Sequence, residues 1–123
     1  MNTPHGHLTY CTNIHPGESW VDHFAALRQY IPEVKKRIAP DQMFGIGLRL
    51  SDLASRDILD KQNLQEFKEW LKTEGCYVFT MNGFPFGGFH RTKVKDHVHT
   101  PDWTTYNRVE YTRRLFDILS VLL

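Results

Sequence analysis

Phe44-Gly45-Ile46-Gly47-Leu48-Arg49-Leu50 is the stretch on which the fold class turns. Successive side chains of a strand point to opposite faces. One parity here (Phe44, Ile46, Leu48, Leu50) is large and apolar, suited to a covering layer of helices. The other (Gly45, Gly47, Arg49) gives a helix little to pack against. Two glycines fit the crowded interior of a closed parallel barrel, with Arg49 at its open end.

Two further stretches repeat the pattern. Leu8–Ile14 (LTYCTNI) is short, β-branched and aromatic, and reads as a strand. Its Leu8, Tyr10, Thr12 and Ile14 alternate with Thr9, Cys11, Asn13 and His15. Cys76–Met81 (CYVFTM) is the third strand, where Tyr77, Phe79 and Met81 alternate with Val78, Thr80 and the following Asn82.

Helical patterns separate these strands. Ser19 is placed to cap a helix, with Asp22 three residues on. Phe24, Leu27, Ile31, Val34 and Ile38 then recur at helical spacing, and Pro32 is expected to kink or restart the helix. Ser51 to Asp60 is polar, with room for a helical turn. Asn63 is placed to cap a second helix carrying Leu64, Phe67 and Leu71, with Gly75 as its left-handed stop. A loop runs from Asn82 to about Thr104, and Val109, Thr112, Leu115, Phe116, Leu119 and Leu122 mark a last amphipathic helix. The predicted order is β-α-β-α-β-α. This is an α/β fold: a partial TIM barrel of three consecutive βα units on a parallel sheet, forming one domain over residues 1–123.

Composition agrees with a folded domain: of 123 residues, 41% are hydrophobic and 13% aromatic. No apolar run reaches the roughly 18 residues that a membrane-crossing helix needs. Met1 to His7 lacks the apolar core of a signal peptide. A cytoplasmic setting is therefore expected. Cys11 and Cys76 sit in apolar runs and read as reduced, buried thiols. A formal net charge of +1 gives no electrostatic case for nucleic acid as a partner.

Strand parity places Asn13, Arg49 and Asn82 at equivalent carboxyl ends, with His15 just beyond. Parallel sheets bind ligands at that end, so these residues are the candidate contacts to a small-molecule metabolite. Arg49 is suited to an anionic or carbonyl group, Asn13 and Asn82 to hydroxyls. His15 and the loop residue His90 are suited to moving protons. Solvated or loop-bonded strand ends would carry the same residue types. The loop Asn82–His90 (NGFPFGGFH) lacks the order of a phosphate-binding P-loop. Its phenylalanines suit either a pocket wall or a small satellite core. His97 and His99 are two spaced ligands without a rigid third, so no metal site is assigned. No nucleophile elbow is present, nor a Cys–His pair at a family-specific spacing.

LTYCTNIHPGESW (Leu8–Trp20), GIGLRLS (Gly45–Ser51), YVFTMNGFPFGGFH (Tyr77–His90) and VKDHVHTPDW (Val94–Trp103) together resemble the start of the metabolite-traffic protein EboE family. The resemblance runs from about Leu8 to Leu123. It implies a xylose isomerase-like TIM barrel and a part in processing or transporting a small secondary metabolite. The family name describes a process rather than a reaction. Two alternatives are a metal-dependent enzyme similar to sugar isomerases and epimerases, and a metabolite carrier without turnover. A phosphodiester-cleaving relative of the same superfamily fits poorly with the near-neutral charge.

A complete barrel takes ~250 residues. This sequence supplies three strands and stops inside the apolar run FDILSVLL. It is therefore expected to be an N-terminal portion, whose partner is the remainder of the barrel or another chain. In xylose isomerase-like barrels the metal-binding carboxylates and histidine come mostly from later strands. No cofactor is thus expected in this chain, and a divalent metal only in a complete barrel.

Overall fold

The alternation at Phe44–Arg49 produces a strand buried on both faces. A strand of that kind belongs in the middle of a parallel sheet, and it lies there. In a computed structural model describing residues 1–83 and 105–123, the elements run β1 (Asn2–Thr3), β2 (Gly6–His7), β3 (Tyr10–Cys11), a 3-10 turn (Thr12–Ile14), α1 (Trp20–Ile38), β4 (Phe44–Arg49), α2 (Asp52–Ile58), α3 (Lys61–Glu74), β5 (Cys76–Asn82) and α4 (Tyr106–Leu122). The sheet order is β3-β4-β5, all parallel. β1 and β2 form a separate antiparallel hairpin. The chain is thus mixed α/β with a three-stranded parallel sheet, as its alternation of segments implies.

Each helix begins where a side chain accepts one of its free backbone amides. The Ser19 side chain accepts from the Asp22 amide at the start of α1. Ser51 does the same for Ala54 at α2, and Thr105 for Arg108 at α4. Gly75 ends α3 with a positive φ of 68°. The cap of α3 is Asp60 rather than Asn63, whose amide instead donates to the Asp57 carbonyl. α1 continues through Pro32 as one helix of 19 residues and does not restart there. The polar stretch after β4 forms α2, seven residues long and capped at Ser51.

The core lies on the face of the sheet carrying Phe44, Ile46, Leu48 and Val78. Trp20 and Phe24 of α1 meet Phe67 and Trp70 of α3 in an aromatic cluster, with centroids 4.9–6.0 Å apart. Such pairs add about 0.5–1.5 kcal/mol each beyond burial alone, which ties α1 to α3. On α4 the buried stripe is Tyr111, Leu115 and Ile118. Val109 and Phe116, expected on that stripe, are exposed, Phe116 by 69%. Tyr111 sets the rotation of the helix, because its hydroxyl donates to the Leu50 carbonyl.

The first strand departs most from expectation. Only Tyr10 and Cys11 pair with β4, and Leu8 and Ile14 are 61% and 65% exposed. At Thr12 the chain turns out of the sheet. The Thr12 Oγ1 then accepts the Arg49 amide at 2.9 Å, a bond that a continuing strand would have made with its backbone. The β4 face bearing the glycines is also covered. A Cβ on Gly45 would lie 2.6 Å from the Met1 nitrogen and 2.9 Å from the Leu8 oxygen. The Met1 nitrogen donates to the Leu8 carbonyl and to the Tyr77 hydroxyl, both at 2.6 Å, while His7 stacks on Phe79.

β5 carries one irregularity. Ile46 pairs with Val78, but Gly47 pairs with Thr80, so Phe79 is an inserted residue. The insertion reverses the alternation: Val78 and Asn82 lie on opposite faces, not on one. Cys11 is exposed and Cys76 buried, so only one thiol is enclosed as expected.

Candidate functional site

The carboxyl ends of β3, β4 and β5 bring together Thr12, Asn13, Arg49 and Asn82. Arg49 and Asn82 are register partners across the two longer strands. The bulge at Phe79 makes this possible, because it returns Asn82 to the face of Arg49. The Thr12 bond to the Arg49 amide holds Asn13 at the neighbouring strand end.

Arg49 is 1% exposed, one of the largest enclosed side chains. Its Nη1 donates to the Glu18 carboxylate at 3.4 Å, and that side chain is 41% exposed. Solvent screens this pair on the glutamate side, so the contact offsets only part of the cost of enclosing the guanidinium. Glu18 is fixed from behind by its backbone, whose carbonyl accepts from the Ser51 hydroxyl at 2.5 Å. Ser51 also caps α2, so the segment before α1 and the one after β4 are pinned at one point.

His15 lies deeper than a strand-end ligand contact. Its ring stacks on Tyr30 of α1, with centroids 5.2 Å apart and planes 6° apart, and its Nε2 shares a hydrogen bond with the Tyr10 hydroxyl at 2.9 Å. Tyr10 pairs with Ile46, on the helix-facing side. His15 therefore packs between β3 and α1. His90 lies outside the described residues, as do His97, His99 and the phenylalanine-rich loop that follows Gly83.

Several residues that shape this end carry little sequence signal. His23 is 1% exposed. Its Nδ1 is 3.2 Å from the Pro16 carbonyl oxygen, which only accepts, so Nδ1 holds the proton and Nε2 is the bare acceptor. Nε2 has no partner among the described residues. Burial pulls the imidazole down from 6.5 to about 4; the Pro16 hydrogen bond works against this, and the nearby Arg49 and His15 add to it. The sequence holds one clue: His23 stands four residues before Leu27 on the apolar stripe of α1, a placement that predicts burial. Glu18 and Thr12 carry none.

Beside this end, between β5 and α4, is a cleft of about 190 Å³ lined by Met81, Gly83, Arg108, Thr112, Leu115 and Phe116, with Leu119 at its far side. Arg108 donates to the Gly83 carbonyl at 2.7 Å. The Tyr111 hydroxyl beneath is pushed up to about 12 by burial, and so stays protonated as a donor to Leu50. Further along α4, Arg114 bonds Asp52 and reaches the Ser55 hydroxyl at 3.1 Å.

Among the described residues no group of three or more histidine, cysteine, aspartate or glutamate side chains is placed to hold a metal ion. No described helix is long and apolar enough to cross a membrane. No family model, curated protein or solved structure matches the chain.

Proposed function

We propose that this chain is the N-terminal portion of an EboE-like, xylose isomerase-like TIM barrel that binds a small polar metabolite at the carboxyl ends of its strands, in a cytosolic process of metabolite maturation or transport. The observation that carries the reading is the Arg49–Asn82 register pair, with Thr12 and Asn13 at the end of the next strand. Three successive parallel strands thus deliver polar side chains to the end where such sheets bind ligands. A positive guanidinium at that end suits a carboxylate, phosphate or polarised carbonyl on the ligand. The asparagine amides suit adjoining hydroxyls.

The rest of the barrel, or another chain, completes the binding site in this reading. Whether the ligand is converted or only carried is separated by adding a divalent metal and following turnover of whatever binds. The test of binding is a comparison of the full native protein with its Arg49→Ala and Asn82→Ala variants, read as the set of small molecules retained in native mass spectrometry. Loss of a retained species in both variants supports the reading. An unchanged set in two folded variants rejects it.

A further inference from the structure

We propose that the buried His23, set against the Pro16–Gly17 turn and within electrostatic reach of Arg49, is an acid-sensitive latch for the segment 12–18 that forms one wall of the candidate site. The inference does not depend on the ligand reading and would stand if no metabolite bound.

The latch is built from backbone and ring together. Gly17 has a φ of 117°, and a Cβ there would lie 2.5 Å from the His23 nitrogen and 2.6 Å from its Cα. The turn is therefore seated directly on the start of α1, with no room for a side chain. The ring fastens the same turn through Nδ1 and Pro16. The Ser19 hydroxyl caps the helix one turn from His23, and its carbonyl accepts the His23 amide at 3.0 Å. One residue thus joins turn, cap and helix.

A proton on Nε2 would break this arrangement. It would create a buried cation with an N–H that has no acceptor among the described residues. The charged groups that face it are Arg49 from β4, and His15 and Glu18 from the segment itself. Arg49 and His15 oppose the charge. Glu18 favours it, but its carboxylate is partly open to water. Exposing His23 is the way to admit the proton, and that requires the turn over it to lift.

The sign follows from linkage. The folded state holds His23 at about 4, below the ordinary 6.5 of the exposed ring. The stabilisation is whole above 6.5 and is lost as the pH falls toward 4. Across that window the equilibrium constant for opening rises by about two powers of ten on account of His23 alone.

The experiment is an imidazole nitrogen NMR titration of the intact chain, with backbone amides followed in the same samples. The expected result is that His23 stays in the Nδ1-protonated neutral form to below pH 5, and that amides of residues 17–19 shift with its midpoint before those of β4 and β5. A His23→Gln variant, which takes up no proton, should lose this early phase and keep only the carboxylate-driven loss. His23 titrating near 6.5 in the folded protein would overturn the proposal, and the wild-type titration gives that answer even if the variant fails to fold. Early shifts of 17–19 that persist unchanged in a folded His23→Gln variant would overturn it equally.

Discussion

Arg49 and Thr12 are joined by a bond between unlike groups: a backbone amide of the central strand donates to a side-chain hydroxyl of a chain that has already left the sheet. This bond lets β3 end after two residues without orphaning the last amide of β4. It also places Asn13 beside the Arg49–Asn82 pair.

Thr12→Val keeps the shape and removes the acceptor. A buried amide left unsatisfied costs about 1–3 kcal/mol, and Thr12 is fully enclosed. Urea unfolding should show a loss of that size for Thr12→Val and a smaller one for Thr12→Ser. Equal stability of Thr12→Val and the wild type would mean that another group takes the amide.

The two strand glycines should differ. A methyl on Gly45 meets backbone of Met1 and Leu8 at 2.6 and 2.9 Å, atoms that move only with the N-terminal segment. A methyl on Gly47 meets the Thr80, Cys11 and Thr9 side chains at 3.1–3.3 Å. Gly45→Ala should therefore lose about 1–3 kcal/mol and loosen the β1–β2 hairpin, with Gly47→Ala the milder change. A harsher Gly47→Ala would place the covering of this face elsewhere.

The central strand is legible in the sequence because its two parities differ so sharply in size. The same reasoning fails where one residue changes the count. Phe79 is an ordinary strand residue in composition, yet its insertion swaps the faces of everything after Val78. Leu8 and Ile14 have strand propensity, but the Leu8 backbone bonds to Met1, and beyond Cys11 the chain leaves the sheet at Thr12, whose hydroxyl accepts the Arg49 amide. Parity matches Asn82 to its actual partner Arg49, although the alternation is not uniform along β5. His15 reads as a residue of an open strand end, but its stacking on Tyr30 depends on how α1 returns over β3. The spacing of apolar residues on α4 allows two adjacent stripes, and the Tyr111 hydroxyl chooses between them.

The cysteines provide a pH-dependent contrast. Burial raises the Cys76 thiol from its ordinary 9.0 to about 11, while Cys11 is exposed. The folded state favours protonated Cys76, so its stabilising share is whole below pH 9 and is lost as the pH rises through about 11. A thiol reagent at about pH 8 should label Cys11 quickly and Cys76 only on unfolding. Fast labelling of both under native conditions would contradict the enclosure of β5 by α3.

Tyr111→Phe removes the donor to the Leu50 carbonyl while keeping the ring. A loss of about 1 kcal/mol is expected, with a change in the exposure of Phe116 and Val109 as α4 loses the bond that fixes its rotation. A neutral substitution would show that the helix is oriented by apolar packing of Leu115 and Ile118 alone.

The ligand reading stands or falls on where small molecules touch the protein. Backbone and side-chain NMR signals of the full native protein should be mapped during titration with fractions of a polar metabolite extract from its source. Shifts are expected to gather at Thr12, Asn13, Arg49 and Asn82, the polar groups at three adjacent strand ends. Shifts confined to the cleft of Met81, Leu115 and Phe116, or none in any fraction, would contradict binding at the strand ends.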